Sequence, residues 1–195
     1  MKKLTLILFF CLWGILSRAQ NQATLISFKI PLHYGYISPQ GYGSWQGFIW
    51  GFALASEFQI ESSPFSLEYE FSVMKERYNL NEADFNQDSF ISMINMKNCF
   101  VAKLYPFAFR LFFGLGIEFI NQISGQFGDT AIEKDIDTEY LGTDTYAVFK
   151  TGYLYNISEN FFLPLELKFI YDLTVKESAV LNLGGSLGAG YKFDL

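Results

Sequence analysis

Apolar and polar residues alternate along most of this chain. From Leu163 to Leu173, Leu163, Leu165, Leu167, Phe169, Tyr171 and Leu173 occupy every second position. Pro164, Glu166, Lys168, Ile170 and Asp172 fill the gaps. A period of two is the signature of a strand with chemically different faces. Seven further stretches repeat it: residues 26–36, 48–60, 65–73, 92–104, 111–119, 145–155 and 181–193. In 65–73, for instance, Phe65, Leu67, Tyr69, Phe71 and Val73 oppose Glu68, Glu70 and Ser72.

The pattern predicts eight strands with no helix between them. Parallel neighbours need long crossovers, so adjacent strands are expected to be antiparallel. Short connections follow the second, fourth and sixth strands ("ESSP", "YPFAF", "NISEN"). Longer polar ones, 37–46, 77–91 and 125–144, follow the first, third and fifth. "VKESA" follows the seventh. Such alternation is that of an up-and-down meander, which eight strands can close into a barrel without edges.

Side-chain volume decides which face is outside. The apolar row is built of Leu, Ile, Phe, Tyr and Trp, and about forty such groups cannot be close-packed within a narrow eight-stranded barrel. The polar row is rich in Gly, Ala and Ser, which suits a narrow lumen. It also carries Lys29, Lys97, Lys103, Lys150, Lys168 and Lys192 against Glu57, Glu68, Glu70, Glu118, Glu166 and Asp172. A water-poor interior favours such balance, because an unpaired buried charge costs several kcal/mol. The expected arrangement therefore puts the greasy row against lipid and the ionic row inside. An apolar band of about 25 Å takes roughly 10 tilted residues per strand, close to the lengths read here. Aromatic girdles are expected from Tyr34, Tyr36, Trp45, Tyr78, Tyr140 and Tyr146 at the long-connection end. Tyr105, Phe107, Tyr155, Phe161 and Phe193 form the set at the tight-turn end.

The first residues stand outside this pattern. Lys2 and Lys3, an apolar run from Leu4 to Leu16, and Ser17-Arg18-Ala19 read as a signal peptide over residues 1–19, with the barrel domain at 20–195. Removing 19 of the 195 residues leaves 176, with 11 bases against 20 acids, a balance that excludes nucleic acid as partner. One cysteine, Cys99, then remains, too few for a disulfide or a cysteine metal site. It is expected as a small buried side chain.

The C-terminal stretch Ser186-Leu-Gly188-Ala-Gly-Tyr191-Lys-Phe193 fits the assembly signal of the small eight-stranded outer-membrane proteins of the OmpA/OmpX type. The chain resembles that family over its whole strand pattern. The resemblance implies an all-β, eight-stranded antiparallel transmembrane barrel in a Gram-negative outer membrane. It also implies a signal read by the barrel-assembly machinery, tight turns toward the periplasm, long loops outward and a plugged lumen. The Ala-Gln junction after residue 19 resembles those of Bacteroidota secreted proteins, and Asp129-Thr130-Ala131 resembles an O-glycosylation site of that group.

Three chemical readings compete with a barrel that catalyses nothing. His33, the single histidine, precedes Ser38 and Ser44, and some barrels of this size modify lipid A with a His and a Ser. No motif positions a nucleophile for it, so His33 is assigned to the lumen. Asp129, Glu133, Asp135, Asp137 and Glu139 offer oxygen ligands without EF-hand spacing, and are expected as a solvated outer loop; a divalent ion bridging them or lipopolysaccharide phosphates is the alternative. The lumen charges could line a small pore or secretion accessory rather than a plug. The expectation is a non-enzymatic outer-membrane barrel without cofactor, with loops for contact, adhesion or envelope support. Its partners would be outer-membrane lipid, lipopolysaccharide, the assembly machinery, and an extracellular or periplasmic partner that composition does not identify.

Overall fold

The computed structural model describes residues 22–39, 44–60, 63–81, 89–106, 110–128, 133–135, 143–172 and 178–194. They form strands β1 (Gln22–Pro39), β2 (Ser44–Ile60), β3 (Phe65–Asn81), β4 (Phe90–Leu104), β5 (Leu111–Gly128), β6 (Glu133–Asp135), β7 (Thr143–Asn156), β8 (Phe161–Asp172) and β9 (Ser178–Asp194). Hydrogen bonding runs β4-β3-β2-β1-β9-β8-β7-β5, and a β4–β5 ladder closes the ring. Every pairing is antiparallel. The result is a closed eight-stranded up-and-down barrel, as the alternation requires.

β6 was not expected. It lies in the region read as one long connection and pairs with the end of β5, Gln126 opposite Asp135 and Gly128 opposite Glu133. β5 itself continues to Gly128, well past Phe119 where its alternation fades. β3 likewise runs to Asn81 rather than ending at Val73. These extensions lie at the long-connection end. Beyond the apolar band no lipid imposes a greasy outward row, so strand pairing continues while the sequence signal stops.

The faces fall as side-chain volume predicted. Leu115, Phe48, Leu167, Leu183 and Leu187 are exposed on the outer surface, Leu115 most of all at 69%. Their neighbours Gly114, Glu166, Lys168 and Asn182 point inward. Two prolines, Pro31 and Pro164, are also buried on the inner face. Lacking an N–H, each falls where one ladder is interrupted: β1–β2 skips Ile30 and Pro31, and β8–β9 skips Leu163 and Pro164.

The tight turns are closed locally. In the turn between β7 and β8 the Ile157 and Ser158 amides donate to the Phe161 carbonyl at 2.9 and 3.1 Å, and the Phe161 amide donates to Ser158 Oγ at 3.1 Å. Arg110, entering β5, adopts a positive φ of 59°.

Residues 1–19, expected to be a signal peptide, Leu173, Phe107, Tyr140, Asp129, Asp137, Glu139 and the side chains of Ser38, Glu133 and Asp135 lie outside what is described.

Candidate functional site: a charge-filled lumen

The inner face of the barrel is layered. At the tight-turn end Ala23, Leu25, Phe112, Leu154 and Phe162 pack into an apolar floor, with Tyr105 against it. Above the floor lies an ionic layer drawn from most of the wall. Lys29 of β1 donates to Glu68 at 2.9 Å, Glu70 at 3.1 Å and Glu166 at 2.8 Å. Lys103 of β4 reaches Glu57 at 2.8 Å, Glu68 at 2.7 Å and Glu166 at 3.4 Å. Lys150 of β7 reaches Glu68 and Glu70, each at 2.7 Å. Lys168 of β8 bonds Glu70 at 3.2 Å and also Glu118 of β5. Four ammonium and five carboxylate groups thus form one connected network.

Each charge owes its inward direction to the strand period, and its solvation to side chains of other strands, from the adjacent one (Lys103–Glu68) to the opposite wall (Lys168–Glu70). Lys29, Lys103 and Lys150 are each only 1% exposed, a burial that unpaired ammonium groups do not tolerate. Lys29 and Lys103 each find three carboxylates, matching the three donors of an ammonium group. Glu57 is further held by Ser66 Oγ and Tyr105 Oη, both at 2.6 Å, and Gln59 Nε2 at 2.9 Å. Lys103 Nζ also stands 4.0 Å from the Phe112 ring centroid, joining the ionic layer to its apolar floor.

Carboxylate oxygens of Glu68, Glu70 and Glu166 gather within 4.8 Å, close enough to hold a metal ion. Lys29 Nζ touches all three, so the cation of this triad is supplied by the chain itself.

Toward the long connections a second pair stands above the network. Lys97 Nζ lies 2.6 Å from Glu76 Oε1, and Tyr78 Oη donates to Glu76 Oε2 at 2.8 Å. Ile49 and Met74 pack with Tyr78 to roof the lumen. Glu76 and Tyr78 revise the expectation. Glu76 is a lumen acid that the sequence reading omitted, because β3 was ended at Val73. Tyr78, Tyr105 and Tyr146 were expected in lipid-facing girdles but turn inward, Tyr78 and Tyr146 buried and Tyr105 half-buried. A tyrosine at a strand end suits either side, its ring apolar and its hydroxyl able to bond a lumen carboxylate. Lys192 is half-buried near the tight-turn rim rather than deep inside. The expected six-to-six balance becomes five fully buried lysines against six glutamates and Asp172.

His33 is buried, its ring packed over Gly184, and its Nδ1 has no hydrogen-bond partner among the described residues. Cys99 is buried among Val101, Ile120, Tyr146, Val148 and Ile170. In the C-terminal motif Gly188 faces the lumen, while Tyr191 and Phe193 join Phe161 in a rim cluster with ring centroids 4.7–5.0 Å apart. Ser186 Oγ lies 3.4 Å from Glu166.

A closed eight-strand ring, greasy outside and ionic within, defines a transmembrane β-barrel of the outer-membrane type. Known outer-membrane structures resemble it to different degrees. OprG, an outer membrane protein from Pseudomonas aeruginosa, superposes with a TM-score of 0.54 at 14% identity, over 91% of this chain and 97% of that one. Ail, the attachment invasion locus protein of Yersinia pestis, gives 0.45 at 16% identity, over 87% and 98%. The outer membrane protease OmpT of Escherichia coli gives 0.36 at 9%, over 91% and 98%. No protein-family model and no curated protein matches the sequence. Likeness at these identities is a likeness of fold, and it lends no support to the Bacteroidota expectation.

Proposed function

We infer that this protein is a non-enzymatic outer-membrane barrel whose lumen is a structural plug and whose outward connections make its contacts with partners. The supporting observation is the cross-wall ionic network. Carboxylates of β3 meet lysines of β1, β4, β7 and β8, so side chains occupy the middle of the lumen. The Phe112–Leu154–Phe162 floor below adds an apolar barrier. A conducting path needs wet, mobile charges around a continuous opening; here the charges are held in contact with one another.

His33 lends an enzyme no support: it is buried, and its Nδ1 meets no proton donor among the described residues.

Planar-bilayer recording of the purified protein tests the plug. No single-channel steps are expected; regular ohmic steps would move the assignment to a pore. Mass spectrometry of lipid A from cells with and without the protein tests the enzyme. An unchanged spectrum is expected, and a protein-dependent change in acylation would overturn the non-enzymatic reading.

A further inference from the structure

The lipid-facing surface of the strands breaks its own rule at one place. Among strand residues whose side chains are described, only two charged groups face outward: Lys75 and Arg77. Both are cations, both lie on β3, and they are separated by one residue. That spacing puts them on the same face about 6.6 Å apart along the strand. Five apolar outward positions, Phe65 to Val73, precede them from the tight-turn end. The pair therefore sits where the apolar band ends, at the level of the outer headgroups.

Their neighbours are suited to a headgroup with acyl chains. Lys75 stands opposite Trp50 and Ile94, and Arg77 opposite Phe48 and Ser92. The Arg77 guanidinium lies 4.6 Å from the Phe90 ring centroid, which orients it without neutralising it. No carboxylate among the described residues forms an ion pair with either cation. Beside Arg77 opens a groove of about 530 Å³, lined by Tyr34, Gln46, Phe48, Trp50 and Asn79. Tyr34 Oη donates to Gln46 Oε1 at 2.6 Å, and the Tyr34 and Phe48 rings meet edge-on at 5.5 Å, so one wall of the groove is held rigid.

The chemistry of this patch is selective. Cations without a carboxylate partner among the described residues favour a negative ligand, arginine binds phosphate with a planar fork, and amide side chains at Gln46 and Asn79 suit sugar hydroxyls. The aromatic and aliphatic side chains below would lie along acyl chains. An acidic protein would satisfy the cations and leave Phe48 and Trp50, which face the bilayer, without a partner. We propose that Lys75, Arg77 and the adjoining groove bind a phosphorylated glycolipid of the outer leaflet, with phosphate on the cations and acyl chains on Phe48 and Trp50. This rests on the long connections facing outward, as in the proposed function, but not on the plug.

The test is native mass spectrometry of the full-length mature protein in detergent micelles, titrated with bis-phosphorylated lipid A or with enzymatically dephosphorylated lipid A. The wild-type protein is expected to retain the phosphorylated form about tenfold better, the scale of one or two charge-assisted contacts. Lys75→Gln with Arg77→Gln should erase that preference, and Arg110→Gln, an exposed cation at the tight-turn end, should leave it intact. Equal retention of the two lipids by the wild type would overturn the proposal, whether or not any variant folds. So would an unchanged preference in the double variant, or displacement of lipid A by millimolar inorganic phosphate, which would mark a free-phosphate site. Bilayer conductance is read independently, so failure of the plug and failure of this site remain distinguishable.

Discussion

Glu70 on β3 and Lys168 on β8 stand on opposite walls of the ring, four strands apart in either direction, yet their charged atoms are 3.2 Å apart. A contact across the diameter means that the walls are held together from inside as well as around the circumference. Hydrogen-bond ladders fix each strand to its neighbours; the ionic layer fixes strands that share no ladder.

Glu68 is the hub of that layer, with Lys29, Lys103 and Lys150 all within 2.9 Å. Glu68→Gln keeps the shape and removes the charge, so Lys29, Lys103 and Lys150 each lose one charged partner while keeping at least one other carboxylate. Since no ammonium group is orphaned, the cost should stay below the roughly 3–5 kcal/mol of breaking an isolated buried pair. The expected result is a barrel that still inserts but unfolds at markedly lower urea concentration in lipid vesicles. A midpoint equal to the wild type's would mean that water, not Glu68, solvates the lysines.

The Lys97–Glu76 pair offers a cleaner measurement, because among the described residues no ion pair joins it to the central network. Buried pairs are expensive to break and cheap to replace whole. Lys97→Met alone should destabilise by about 3 kcal/mol, since Glu76 keeps its charge, whereas Lys97→Met with Glu76→Gln should recover most of that loss. Additive losses in the double-mutant cycle would show that the two side chains act independently despite their contact.

Residues 74–78 show where the sequence stops being legible. Up to Val73, outward means apolar and inward means polar, because lipid presses on one side and the ionic network on the other. From Met74 the relation inverts: Met74 and Tyr78 turn inward while Lys75 and Arg77 face out. Strand geometry has not changed, only the solvent. Headgroups and water accept cations, and the lumen roof accepts Met and Tyr. Polarity therefore named the face of Glu68 and Glu70 correctly, and Glu76, which also faces inward, was missed because its outward neighbours Lys75 and Arg77 hide the alternation. The bonding partners were never legible. Lys29 and Glu166 are 137 residues apart in sequence, and no alternation says that they meet.

The outward row predicts a depth-dependent cost. Leu167 lies at the middle of β8 on the outer surface, and Tyr155 at the tight-turn rim. Arginine at mid-depth on the lipid face costs about 2–4 kcal/mol, falling to about 0–1 near an interface. Leu167→Arg should therefore lower the urea midpoint strongly and Tyr155→Arg hardly at all. Equal effects would mean that Leu167 does not face acyl chains.

Neighbouring glycines on β9 provide a test of the inner packing that does not involve charge. Gly184 points inward beneath His33, where an added Cβ would fall 2.1 Å from the His33 ring and 2.5 Å from the His33 Cα. Side-chain rotation cannot clear the Cα, so the β1–β9 seam that closes first strand to last must shift. Gly185, the next residue, faces the other way, and a Cβ there would meet only the Glu166 carbonyl at 3.3 Å and Leu167 at 3.7 Å. Gly184→Ala is expected to cost about 1–3 kcal/mol, the range for overpacking, against under about 1 kcal/mol for Gly185→Ala. Refolding yield into detergent, read as the heat-modifiable band on a gel, should follow the same order. If Gly185→Ala proved the more harmful, the inward and outward faces of β9 would have to be exchanged. Gly184 and Gly188 would then owe their place to something other than the space that His33 and Lys29 need to enter the lumen.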